Sequence, residues 1–314
     1  MGGSGRPVKW DGIGEIDLEG GAPYHPDRSF DTIACAGEGP LPVLAALEGG
    51  MHAALVEPAL GTRLLDWGDG RAVPGRVAVA KTLSVGEAGR LAVCRLRPWL
   101  GGCDSGSLRV VVNVSVGPYL CRPLQMGADV VIEDLGGLLD PALLPDGPSG
   151  PRVAVVARNG QAWERFWGQV AATGSPVGLG AADEGHLGAG LRCLSGTTQR
   201  RSDVALAVAH YLAAHPGVGW VSYPGLPEDE ANADARATLE HGFGPLVAFG
   251  LLGERPWDGG MTGDGPGRPC RSRLYRGAQP GSLVFSAGTE SALDVVGALD
   301  RLIAEGLALG SNGR

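Results

Sequence analysis

Lysine is nearly absent from this chain: among 26 basic residues only Lys9 and Lys81 are lysines, and the rest are arginine. Chemistry that needs a deprotonated amine, Schiff-base formation above all, is therefore confined to two positions. A basic surplus is lacking too, because the net charge is −8, which gives no electrostatic footprint for nucleic acid. No apolar run is long enough to cross a bilayer, so no membrane partner is expected. The start, Met1-Gly2-Gly3-Ser4-Gly5-Arg6, is polar with no hydrophobic segment behind it, and the expected location is cytoplasmic. The six cysteines contain no CxxC pair, which excludes a metal-ligand framework and leaves them as small buried hydrophobes or inert thiols. Among His25, His52, His186, His210, His215 and His241 there is no HxxxH or HExxH spacing, so no metal is expected. GxSxG, P-loop and intact GxGxxG motifs are missing as well, which removes the serine-hydrolase, phosphoryl-transfer and Rossmann readings.

What remains is a globular composition, with 44% hydrophobic and 19% charged residues over 314 positions, enough for one or two domains. Residues 1–30 read as a Gly/Pro-rich arm. A helix is expected from Leu41 to about Leu55, turns from Gly61 to Gly75, and a strand over Arg76–Lys81. Three β-branched runs follow, Arg109–Val114, Asp129–Glu133 and Arg152–Ala157. They are continuous rather than alternating, as suits strands buried on both faces of a mainly parallel sheet. Helical stretches around Pro118–Met126 and Gln161–Ala172 are expected to connect them. Ser202 is placed as the cap of a helix ending at Pro216-Gly217. Beyond it the pattern turns α+β: strands at 219–223, 245–252 and 282–286, helices at 228–240 and 290–307, and a Gly/Pro/Arg-rich loop over 254–281. The expected division is an arm (1–30), a large domain (31–200) and a C-terminal α+β domain (201–314).

Individual residues carry few signals. Lys81, at the end of its strand, reads as a lysine reaching solvent. Glu133-Asp134 offers two carboxylates for acid/base work or a cation, but neighbours on a strand end point in opposite directions, and a solvated loop is the simpler reading. Trp163, Phe166 and Trp167 read as core or as an oligomer contact, and Tyr223-Pro224-Gly225-Leu226-Pro227 as a rigid turn.

Ordered segments nevertheless resemble a known family. Gly117-Pro118-Tyr119-Leu120-Cys121-Arg122-Pro123-Leu124 followed by Gly127-Ala128-Asp129-Val130-Val131, then Ser202–Leu206 through His215-Pro216, Trp220–Pro227, His241–Gly244 and Ser286–Glu290, are similar to successive signatures of the pyridoxal-phosphate (PLP) enzymes of cysteine and methionine metabolism, of the O-acetylhomoserine sulfhydrylase and cystathionine γ-synthase type. Leu47-Glu48-Gly49-Gly50 adds support. The resemblance implies an α/β, aspartate-aminotransferase-like (type I PLP-dependent) fold with a reduced large domain and a smaller C-terminal domain. It also implies an oligomer, either a homo-oligomer or a hetero-oligomer with an active family member.

The same resemblance implies where the chemistry should sit. The family lysine aligns with Gly137. The acid that pairs with the cofactor's pyridine nitrogen aligns with Val112, beside a retained Asn113 as a weak cofactor contact. The phosphate-cradle dipeptide falls near Pro58-Ala59, and the arginine that grips the substrate carboxylate falls at Val284-Phe285. The resulting expectation is a non-catalytic homologue with no PLP, a structural or regulatory partner of an active relative in sulfur-amino-acid or specialised sulfur metabolism. Two alternatives stand beside it: a γ-replacement enzyme with its lysine relocated to Lys81, and cofactor-independent chemistry rebuilt on Glu133, Asp134 or Tyr119.

Overall fold

A computed structural model describes residues 28–36, 39–71, 73, 75–138, 153–170, 174–178, 181–252, 272–277, 279 and 281–311. Among them the strands are, in chain order, β1 (His52–Val56), β2 (Val77–Lys81), β3 (Leu83–Val85), β4 (Leu91–Val93), β5 (Leu108–Asn113), β6 (Val130–Asp134), β7 (Val153–Ala157), β8 (Pro176–Val177), β9 (Val218–Ser222), β10 (Leu246–Leu251), β11 (Arg273–Arg276) and β12 (Ser282–Ser286). They build a six-stranded sheet ordered β2-β5-β6-β7-β1-β8, a four-stranded sheet ordered β11-β12-β10-β9, and the β3-β4 hairpin.

The continuous valine runs do become the interior strands β5, β6 and β7. Strand alternation divides their side chains between two cores. Val111, Val131, Ala154 and Val156 join Leu44 and Leu47 of the helix Pro40–Glu48. On the opposite face Val110, Val112, Val130, Ile132, Val153 and Val155 pack with Leu60, Leu64 and Trp67 of the helix Pro58–Trp67 and Phe166 of the helix Gly160–Val170. Asp129 ties the ends of these strands: its Oδ2 accepts from the Arg109 amide and Nε, and its Oδ1 from Arg109 at 3.0 Å and Arg158 at 2.7 Å. Burial pushes that carboxyl up, but the hydrogen bonds and charges of the two arginines outweigh it and hold the group below its ordinary range.

Several expectations are corrected. The sheet is mixed: β2, β5 and β6 run parallel, whereas β7, β1 and β8 join by antiparallel pairs. An apolar run reports burial on both faces, not strand direction. The helix expected to reach Leu55 stops at Glu48, because Gly49 takes a left-handed φ of 78° and its amide closes the last turn, so that Leu55 lies in β1. The turn-rich stretch after Gly61 conceals the helix Pro58–Trp67. Ser202 is no cap; the helix runs unbroken over Leu194–Ala214, and Ser202 is buried in its middle with Oγ unpartnered. The polar run Ser195–Arg201 had hidden its first two turns. Within the expected 228–240 helix only Asn232–Thr238 is helical. Of the expected loop, residues 254–271 lie outside the described residues and Arg273–Arg276 forms β11. Residues 1–27 of the arm also lie outside them, while Arg28–Ala36 is helical.

The second sheet packs on Leu194–Ala214 and on the closing helix Ala292–Ser311, through Val204, Val208 and Leu212 against Phe249, Phe285, Val295 and Leu299. No described helix is long and apolar enough to cross a membrane.

Candidate functional site

The alternation that sends Val111 and Val131 toward the helix Pro40–Glu48 also sends Asn113 and Glu133 there, one pleat further on at the strand ends. The two residues are register partners across β5 and β6, and Asn113 Nδ2 donates to Glu133 Oε1 at 2.7 Å and to the Cys121 carbonyl at 3.3 Å. Glu48, the last residue of its helix, completes the cluster. Glu48, Asn113 and Glu133 are all 0% exposed. Glu133 therefore does not sit in a solvated loop; only Asp134, which accepts the Gly136 amide at 3.1 Å, has the expected strand-end setting.

Two carboxylates cannot both stay ionised in such a place. Burial pushes Glu48 up from 4.5 to about 7, against a hydrogen bond from Glu133 and the pull of the Arg122 guanidinium. Glu133 is also driven well above its ordinary range, by burial first and by the neighbouring Glu48 second. Neither Glu48 oxygen nor Glu133 Oε2 meets an N–H donor, so a proton on Glu133, donated to one Glu48 oxygen, is what joins the two acids. Cys121 lies under the same cluster, and its thiol is held well above the usual range by burial and by the two acids, so it is no nucleophile at neutral pH.

The two glycines after Glu48 are explained by packing. A Cβ on Gly50 would stand 2.8 Å from the Ala157 carbonyl oxygen and 2.8 Å from Leu124 Cδ1. Gly50→Ala is therefore expected to cost about 2–3 kcal/mol, because strand backbone must move, and Gly49→Ala about 1 kcal/mol for its left-handed conformation alone. Urea unfolding of both variants checks the ranking.

Tyr119 stacks on His241 with ring centroids 4.7 Å apart, meets Phe30 edge-on, and donates its hydroxyl to Gln199 Oε1 at 3.2 Å. It is buried at 2% exposure and serves the packing between the N-terminal helix and the helix Leu194–Ala214. Lys81 does not simply reach solvent: its Nζ donates to Asp69 at 2.8 Å, and it lies beside Val112 in the β2–β5 register. A Cβ on Gly68 would sit 3.2 Å from Val112 Cβ and 3.3 Å from Lys81 Cδ, so the end of the helix Pro58–Trp67 closes over both residues. Gly137 follows Asp134 in the single turn Leu135–Leu138. Pro58 opens its helix without an amide hydrogen, and Phe285 is buried in the second core. Among the described residues no three His, Cys, Asp or Glu side chains gather to hold a metal.

The order of these segments in the chain is matched by a family model described as Cys/Met metabolism PLP-dependent enzyme, over residues 103–259, half of the chain. The chain belongs to this family. A sulfhydrylase-like protein of Epichloe uncinata is 31% identical over 48% of the chain, and a cystathionine gamma-synthase of Mycobacterium tuberculosis is 33% identical over 49%. The matched stretches span 37% and 38% of those two proteins, so the likeness covers little more than a third of either relative. The fold is the type I PLP-dependent one. A cystathionine gamma synthase structure from Xanthomonas oryzae pv. oryzae superposes with a TM-score of 0.67 at 20% identity, over 96% of this chain and 91% of that one. A structure of a methionine gamma lyase from Micromonospora echinospora superposes with a TM-score of 0.62 over 83% of both.

Pyridoxal phosphate is the cofactor of this family, and the residues that the sequence resemblance sets at its binding roles do not fit it. Val112 is wholly buried among aliphatic side chains and has no charge to offer a pyridine nitrogen. Gly137 has no amine, Pro58 no amide donor, and Lys81 is engaged by Asp69. Only Asn113 is retained, and its amide serves Glu133 and the Cys121 carbonyl instead. Sequence reasoning missed Glu48. One signal was present: an acid at the negative end of a helix is unfavourably placed unless something else holds it.

Proposed function

We propose that this chain is a non-catalytic member of the family, a cytoplasmic structural or regulatory partner of an active relative in sulfur-amino-acid or specialised sulfur metabolism, and that it holds no pyridoxal phosphate as an aldimine. The observation that carries the proposal is the closure at Val112, where an aliphatic side chain fills the place of the family's acid and Gly68 stands against it. Electron withdrawal by the cofactor depends on a protein group at that place. The relocated-lysine alternative loses support from the Lys81–Asp69 bond, and rebuilt acid/base chemistry from the sealing of Glu48 and Glu133, whose carboxyl oxygens no substrate reaches.

The test is to purify the chain alone, and co-expressed with an active family member from the same genome, in the presence of excess pyridoxal phosphate. The expected result is no lysine-linked visible band, no species fixed by borohydride, and recovery of the two chains in one complex. A borohydride-fixed cofactor on Lys81 would overturn the cofactor part of the proposal. A chain that never enters a complex with the relative would overturn the partner role.

A further inference from the structure

A cleft of about 340 Å³ opens where β9, the edge strand of the four-stranded sheet, meets the β3-β4 hairpin. None of its lining residues takes part in the Glu48–Glu133 cluster or in the closure at Val112. Its floor is apolar, formed by Val218, Val221 and Leu226 over the buried Leu212. On one wall the Arg90 guanidinium lies over the Trp220 indole, 5.0 Å from the ring centroid. The indole is seated in turn on Gly250, its register partner in β10, where a Cβ would strike Trp220 Nε1 at 2.1 Å. The other wall is the acidic turn Glu228-Asp229-Glu230. Asp229 fixes that turn by accepting the amides of Tyr223 and Ala231 at 2.9 Å, so its carboxylate is occupied. Arg90, Glu228 and Glu230 are exposed and have no ion pair among the described residues.

A guanidinium whose face is covered by an indole keeps its N–H edge for a planar anion. The same cleft is lined by two carboxylates with no cation paired to them among the described residues, and by apolar side chains. A simple anion entering this cleft meets Glu228 and Glu230, and a simple cation meets Arg90. A ligand carrying both charges on neighbouring atoms suits both walls. We propose that this cleft binds a free α-amino acid with an aliphatic side chain, its carboxylate held by Arg90, its ammonium by Glu228 and Glu230, and its side chain on Val218, Val221 and Leu226. A cleft of this size has room for a free amino acid with solvent beside it. The proposal is independent of whether the chain is catalytic.

Calorimetric titration of the full chain with L-leucine tests it, with N-acetyl-L-leucine and L-leucine methyl ester as ligands lacking one charge each. Binding of L-leucine is expected, weakened about tenfold or more by either blocking group, by Arg90→Ala, and by the pair Glu228→Gln with Glu230→Gln. Arg90→Lys should restore part of the affinity. These side chains are exposed, so unchanged circular dichroism and Tm are expected and separate loss of binding from loss of fold. Absence of binding heat with about 10 mM L-leucine, a concentration that reveals even a weak millimolar site, would overturn the proposal. Equal binding by Arg90→Ala would do the same. So would equal binding of a doubly blocked leucine peptide, which would show instead a strand added to the open edge of β9.

Discussion

Glu133→Gln is expected to fold, and to be more stable than the native sequence at about pH 8 while matching it at about pH 4.5. Glutamine keeps the geometry of the cluster, since its oxygen still accepts from Asn113 and its amide donates to Glu48 in place of the shared proton. The native pair carries the opposite liability. Both acids have folded pKa values raised above 4.5, so their contribution is complete below that pH, where folded and unfolded chains alike hold the protons. As the pH rises, the unfolded chain releases both protons while the folded chain keeps them. Stability then falls from about pH 4.5 through about 7 for Glu48, and the raised Glu133 carboxyl adds a loss of the same sign. The Glu48 shift alone corresponds to a loss on the order of 3 kcal/mol. Asp129 acts with the other sign, because its carboxyl is depressed and its contribution disappears as the pH falls through the acid range. The native protein should therefore be most stable in mildly acidic solution. Unfolding by urea at two pH values measures both effects, and identical pH profiles for the native protein and the Glu133→Gln variant would remove the shared proton from the account.

The reach of the sequence follows the range of each signal. The interior strands were legible because β5, β6 and β7 are short β-branched runs whose burial shows in their own composition, and the family signatures because each is contiguous. Strand direction was not legible, since Val153–Ala157 reads the same antiparallel to β6 as parallel to it. Two helices were obscured by polar or turn-forming residues, Pro58–Trp67 and the first turns of Leu194–Ala214. They are held by Leu60, Leu64 and Leu194 packing against residues remote in the chain. Glu133 stood out as an oddity, but its burial depends on Glu48, which belongs to another element. The cleft at Arg90 was not legible for the same reason, because its charged groups come from a hairpin and a turn remote from each other in the chain.

Putting back the family's acid is expected to damage this protein rather than revive it. Val112→Asp should lower stability by about 3–5 kcal/mol, as the carboxyl enters a fully buried position among aliphatic side chains, closed over by Gly68. Val112→Asn should cost less, since it buries a polar group without a charge. Lys81 is the cation beside this position in the sheet register, and it is already bonded to Asp69. It can compensate the introduced carboxylate only by giving up that partner. The combination of Val112→Asp with Lys81→Met is therefore expected to be less stable than Val112→Asp alone, whereas Lys81→Met by itself, which breaks a half-exposed pair, should cost no more than about 1 kcal/mol. Thermal unfolding of the four proteins at neutral pH gives the coupling between the two sites directly. If Val112→Asp were as stable as the native chain and acquired pyridoxal phosphate, the space above β5 would be open, and the closure on which the non-catalytic reading rests would not exist. If it is destabilised as expected, and more so without Lys81, the old site is packed as core, and restoring the family's chemistry requires moving the helix Pro58–Trp67 as well as changing residues.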